Sequence, residues 1–246
     1  MKLNKCFTTV FDAPLKERGF KKKGTLYYRM NGEILQGITI KLMSCYEICF
    51  NYIPYWSADY NVWWENDRPF KGNSWAENHF IDGVYYQADE EEKMLSEMKK
   101  RCDIVCNVII PRLGKMQTLD DYLGIVKDAE FDNELRSFVG EDGTCLIHHY
   151  LQLNPYDVYV KAIRDRSFDA LEKFLAQDLE RHVNFMLNGF PGAYTEEALR
   201  ESYINNYAEC YKAIDENDFS SGQVFYEKQC NEMKQRLLDE LKLTIE

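Results

Sequence analysis

Asn31 and Gly32 stand between two apolar runs, LYYRM before them and ILQGITIKLM after, and no other feature restricts this chain so tightly. An Asn-Gly step flanked in this way is the strongest short hairpin signal, because both central residues of a type I′ turn need positive φ. The pattern predicts a strand over 25–30, a type I′ turn centred on Asn31-Gly32, and a second strand over 33–43. A third strand over 46–53 completes a three-strand meander. Upstream, Leu3, Phe7, Val10, Phe11 and Leu15 recur at helical spacing, so 2–18 reads as an amphipathic helix that Gly19 ends. Pro14 lies inside it and removes a backbone donor, so a kink is expected, or a restart capped by Asp12. Lys21 to Lys23, bracketed by Gly19 and Gly24, read as a solvated entry into the first strand.

All four tryptophans fall between Pro54 and Phe80, where Tyr55, Trp56, Tyr60, Trp63, Trp64, Phe70 and Trp75 are mixed with Asp, Asn, Gly and Ser. A structureless loop of that length is unusual in a compact domain, so short strands or turns that pack their aromatics on the sheet are expected. Phe80 to Ala88 reads as a further strand. Asp89 to Glu92 then place four acids at the positive end of a helix that runs to about Ile110, with Pro111 close to its end. Thr118 caps a short helix after it. The polar stretch 131–143, with Gly140 and Gly143, reads as a boundary, and from Thr144 the pattern is helical: 154–164, 168–187, 195–214 and 219–241. Lys161-Ala162-Ile163 with Phe168 and Phe174 recurs 51 residues later as Lys212-Ala213-Ile214 with Phe219 and Phe225, and Tyr156 maps to Tyr207. Each copy predicts a short turn between antiparallel helices. The expected class is α+β: an N-terminal helix and antiparallel sheet with covering helices over 1–130, then an all-helical region of two helical hairpins over 144–246.

Charge is divided along the chain. Residues 1–117 hold 17 Lys and Arg against 15 Asp and Glu, whereas 118–246 hold 13 against 26. That balance argues against duplex nucleic acid, whose phosphates need clustered cations, and permits a basic protein partner. No run approaches the roughly 18 apolar residues of a membrane span, and the first residues lack the apolar centre of a secretory signal, so a cytoplasmic protein without membrane association is expected. Eight cysteines are scattered without a CxxC pair, which points to reduced thiols and to no zinc finger. Cys102 and Cys106 share a helix face and Cys45 and Cys49 a strand face. His148 and His149 lie in an apolar stretch and read as core or interface residues. No GxSxG, P-loop or GxGxxG pattern is present, so neither a catalytic set nor a cofactor is assigned.

The stretch LKERGFKKKGTLYYRMNGEILQGITIKL, with IIPRLGKMQTLDDYL downstream, resembles the bacterial family known as domain of unknown function 4304. The likeness covers residues 5 to 127 and implies a bacterial origin and an α+β sheet domain; it carries no activity. Two functions are expected from the residues. The first is a non-catalytic protein-interaction module, of an immunity or accessory type, that binds a basic partner. The alternative is a small-ligand or glycan-binding protein or hydrolase whose pocket wall is Tyr55, Trp56, Trp63, Trp64 and Trp75, with Glu65 and Asp67 nearby.

Overall fold

The computed structural model describes residues 3–42, 46–57, 79–82, 91–126, 147–149 and 154–245. The chain forms two compact units: Met1–Gln152 together with Met233–Glu246, and Leu153–Glu232. It is an α+β protein with a helical C-terminal region, as the periodicities require.

In the first unit, helix α1 (Leu3–Glu17) buries Cys6, Phe7, Phe11 and Leu15, one stripe at three- and four-residue spacing. Gly19, at φ 81°, ends it while the Gly19 and Phe20 amides return to the carbonyls of Lys16 and Leu15. Strands β1 (Lys21–Lys23), β2 (Leu26–Asn31), β3 (Ile34–Leu42), β4 (Tyr46–Pro54), β5 (His79–Asp82) and β6 (Ile147–His149) follow, and the sheet takes them in that order, every pair antiparallel. The expected three-strand meander is thus its centre. Lys21–Lys23 adds a short edge strand, and Ile147–His149, expected to open the helical region, is a strand because it pairs with β5. Of the strand expected over 80–88, residues beyond Asp82 lie outside the described residues, as does the boundary expected over 131–143.

The hairpin forms, but one residue later than its Asn-Gly step suggests. Asn31 pairs with Ile34, so the turn residues are Gly32 and Glu33. Of the three residues Asn31 to Glu33, only Gly32 has positive φ, at 59°. Glycine at the first central position marks a type II′ turn rather than the expected type I′. Tertiary bonds account for the shift. Asn31 Nδ2 donates to the carbonyls of Gly114 (3.1 Å) and Met116 (2.6 Å), and the Glu33 amide donates to Gln117 O at 2.7 Å. The Glu33 carboxylate accepts from the Leu119 amide at 2.9 Å, ahead of the last helix of this part of the unit.

Helix α2 (Glu91–Ile104) packs along α1. Pro14 causes no restart: α1 is continuous through it. Its cost falls on one carbonyl, since without an N–H at position 14 the oxygen of Val10 has no donor four residues on. The Cys102 thiol of α2 takes that place, 3.8 Å from Val10 O. Pro111 acts in a related way on Asn107. The backbone widens into a π turn over Val105–Ile109, with the Ile110 amide bonded to Val105 O, and then resumes as α3 (Ile110–Leu113). Helix α4 (Leu119–Val126) begins as expected at Thr118, whose Oγ1 accepts from the Asp121 amide at 3.2 Å while Asp121 Oδ2 accepts from the amides of Gln117 and Thr118.

Alternation along the strands assigns the two sheet faces. Tyr27, Ile38 and Phe50 stand in one row and Arg29, Gln36 and Tyr52 in the next on the same face. Phe7 of α1 meets Tyr27 edge-on at 5.8 Å and Tyr122 of α4 meets Tyr52 at 6.4 Å, so these helices cover that face. Tyr28 points the other way, and its hydroxyl donates to Leu241 O at 2.7 Å. Lys21 Nζ and Lys23 Nζ donate to the carbonyls of Lys242 and Glu240. The lysine run expected to be solvated therefore ties down the exposed carbonyls where the last helix ends, at the negative pole of its dipole. Lys22 instead meets Asp12 at 2.8 Å. These bonds explain why the expected division at 130 and 144 does not hold: residues 233–246, with Met233, Leu237, Leu241 and Leu243 buried, belong with the sheet.

In the second unit, helices α5 (Pro155–Asp165) and α6 (Asp169–Gly189) form the first hairpin, α7 (Glu196–Asn206) follows, and α8 (Ala208–Glu216) leads to α9 (Phe219–Leu241), which continues into the last residues of the first unit. The 51-residue repeat is structural. Arg166 and Asn217 are both left-handed, at φ 53° and 49°, and both turns close with the same pair of bonds: Arg166 and Ser167 to the carbonyls of Ile163 and Ala162, Asn217 and Asp218 to those of Ile214 and Ala213. Equivalent residues touch each other. Phe168 stacks on Phe219 with ring centroids 4.2 Å apart and planes 2° from parallel, and Tyr156 lies 5.5 Å from Tyr207. The repeat breaks where Leu171 corresponds to Gly222: a Cβ at 222 would come within 2.7 Å of both Ile163 Cδ1 and Tyr159 Oη, so only glycine leaves the second copy room. The single helix expected over 195–214 is two, broken at Tyr207, whose ring packs 4.8 Å from Tyr203; the break leaves Asn206 O to accept from the Tyr156 hydroxyl at 3.0 Å.

Candidate interaction surface

The aromatic residues expected to form a pocket wall do not behave alike. Tyr55 and Trp56 sit in a 3-10 turn (Tyr55–Ser57) directly after β4, in edge-to-face contact at 5.2 Å, and Trp56 is 1% exposed. They are core residues of the first unit and present no ligand-binding surface. Trp63, Trp64 and Trp75, with Glu65 and Asp67, lie outside the described residues. Tyr55 and Trp56 therefore give the glycan or small-ligand reading no support.

A surface of a different character lies on the second unit. Helix α7 starts at Thr195, whose Oγ1 accepts from the Ala198 amide at 3.3 Å, and Glu196 and Glu197 occupy its positive first turn. Leu199 and Tyr203, four apart, are buried and fix the helix rotation. The opposite stripe, Glu196, Glu197, Arg200, Glu201, Ile204 and Asn205, consequently lines an open groove of about 630 Å³. Arg200 is fully engaged there: its two terminal nitrogens meet the two Glu180 carboxylate oxygens of α6 at 2.6 and 2.8 Å, and Nε meets Glu196 at 2.8 Å. The fork holds the Glu180 carboxyl below its usual range and raises the guanidinium further. No cation is paired with Glu197 or Glu201 among the described residues.

Large apolar side chains accompany these acids. Ile204 is exposed within the stripe, Phe190 and Tyr194 are exposed in the segment that leads into α7, and Phe185 is exposed on α6. Phe190 and Tyr194 meet edge-on at 6.5 Å, so they present one aromatic unit. Sequence reasoning took Gly189–Gly192 only as a break. The signal available was the pair of aromatics in FPGAY, which falls outside the buried stripes on either side.

The surface rests on a buried polar contact. Asp178 of α6 is 5% exposed; it accepts from the Tyr203 hydroxyl at 2.6 Å and from Arg181 Nη2. Burial first, and then the Asp178 charge, push the Tyr203 phenol far above its ordinary value. Burial also lifts Tyr156 and Tyr207 to about 12. A raised phenol stabilises the fold while it is protonated, so this contribution is complete below about pH 10 and is lost as pH climbs beyond it. Tyr203→Phe is expected to lower stability by about 1–3 kcal/mol, since it leaves a buried carboxylate short of a donor. Thermal melts between pH 8 and 11 should show the alkaline loss in the wild type and a shallower one in the variant.

Taken together, the fold and this surface define an α+β sheet protein bearing a helical unit with an acidic, partly apolar outer face. Comparison with protein families, characterised proteins and solved structures gives no match from which a more particular identity follows.

Proposed function

We propose that the protein is a non-catalytic interaction module that binds a basic protein partner through the outer face of α7, as an immunity-type or accessory protein does. The observation that carries this reading is the groove in which Arg200 is committed to Glu180 and Glu196 while Glu197 and Glu201 face outward beside exposed Ile204. The unit that holds it is acidic as a whole: residues 153–232 contain 8 Lys and Arg against 15 Asp and Glu. Opposite charge steers such an encounter, and the aromatic and aliphatic side chains supply the area that charge does not. The resemblance of residues 5 to 127 to the unknown-function 4304 family brings no activity with it, so the reading stands on this surface.

Cytoplasmic residence is part of the proposal. Cys6, Cys102, Cys106, Cys210 and Cys230 are free and buried, which fits a reducing compartment, and no helix among the described residues is long and apolar enough to cross a membrane.

The test is capture of partners by the immobilised full chain at about 50 and 500 mM salt, where the screening length falls from roughly 14 to 4 Å. A basic protein retained at low salt, released at high salt and lost with the double variant Glu197→Lys, Glu201→Lys is the expected result. Retention unchanged by the variant, or no retained protein at either salt, would sink the proposal.

A further inference from the structure

The groove on α7 leaves one chemically capable group of the first unit unused. Cys102 on α2 and Cys106 in the π turn place their sulfurs 3.8 Å apart, and the two residues are 4% and 6% exposed. We propose that Cys102 and Cys106 form a chelating site for a divalent thiophilic cation of the zinc or cadmium type.

Three features of the site carry this. The first is the distance. Two thiolates that share one tetrahedral ion at about 2.3 Å per bond stand roughly 3.8 Å apart, so neither side chain has to move for an ion to bridge them. A disulfide would need the sulfurs at about 2.05 Å, which a pair one turn apart on a helical face reaches only by distorting the backbone.

The second is the backbone around the pair. Pro14 deprives Val10 O of its helical donor, and that oxygen faces the Cys102 sulfur at 3.8 Å. Cys106 lies within the π turn that Pro111 imposes, a widened stretch of helix of the kind often found at functional sites. A carbonyl oxygen without a helical partner therefore stands beside the two sulfurs as a neutral donor.

The third is charge. The ion takes two thiolates and releases two protons to solvent, so a divalent cation enters and the charge of the buried site does not change. A site of low dielectric tolerates that exchange, where a singly charged ion bound by two thiolates would leave an uncompensated negative charge. Among the described residues no third His, Cys, Asp or Glu joins the pair, so the site is open rather than a closed four-ligand structural centre.

The probe is Cd(II) added to the reduced full chain, followed by the ultraviolet charge-transfer band that sulfur–cadmium bonds produce. One equivalent is expected to develop the band in the wild type, and Cys102→Ala with Cys106→Ala is expected to remove it while circular dichroism confirms the fold. A second measurement needs no variant. Alkylation of the wild type, mapped by mass spectrometry with and without the metal, should slow at Cys102 and Cys106 by about tenfold or more, because a ligated sulfur is no longer a free nucleophile. Cys6, Cys210 and Cys230 serve as internal references. A band that survives in the double variant, no band in the wild type, or equal protection of the reference cysteines would overturn the proposal and leave the pair as packed thiols.

Discussion

Gly32→Ala is expected to destabilise the first unit by about 2–4 kcal/mol, the largest single-methyl effect in the chain. Two costs combine. Gly32 is held at φ 59°, where a side chain is strained, and a Cβ built there would lie 2.2 Å from Gln117 O. That oxygen cannot retreat freely, because it accepts the Glu33 amide at 2.7 Å and its neighbours Gly114 and Met116 are held by the Asn31 side chain. The hairpin turn and the segment ahead of α4 should therefore loosen together. Denaturant unfolding measures the total, and hydrogen exchange locates it: faster exchange at both 31–34 and 117–119 is expected, and exchange that changes only in the turn would contradict the docking. Gly24 is the natural comparison. It also has positive φ, at 64°, but a Cβ there meets nothing within 4 Å, so Gly24→Ala should show the backbone cost alone.

Phe168→Ala is expected to cost the second unit about 3–5 kcal/mol. Phe168 is 7% exposed and stacks on its repeat counterpart Phe219, so its removal opens a cavity between the two halves of the repeat. A double-mutant cycle with Phe219→Ala should recover a coupling of about 0.5–1.5 kcal/mol, the range for aromatic pairs beyond their buried area. Additive losses would mean that the near-parallel stacking is incidental to the packing of the surrounding helices. The same variant serves the proposed function, because α7 packs on the hairpin that Phe168 helps to hold; partner capture should weaken with stability, whereas Glu197→Lys with Glu201→Lys should weaken it without a change in melting temperature.

What was legible in advance follows the range of the forces involved. Helix α1 and its end at Gly19, the cap at Thr118, the strands on either side of Asn31-Gly32 and the 51-residue repeat all depend on residues within a few positions of each other, and the sequence shows them directly. The misread features depend on partners far along the chain. The hairpin adopts a type II′ turn because carbonyls 83 and 85 residues beyond Asn31 recruit its side chain. The lysine run is a clamp because carbonyls more than 200 positions away need donors. Tyr55 and Trp56 are core residues because the chain turns inward after Pro54, which no local pattern announces.

The sequence by itself determined the α+β class, the acidic character of the helical part and the paired hairpins, because hydrophobic period, turn chemistry and charge are properties of neighbours. Only the tertiary structure decided that the last turn of the final helix belongs to the sheet, that Arg200 is occupied while Glu197 and Glu201 are not, and that the Val10 carbonyl, Cys102 and Cys106 meet. Each of those is a pairing of groups that desolvation makes obligatory or that packing brings together, and such pairings are fixed by distance in space rather than by distance along the chain.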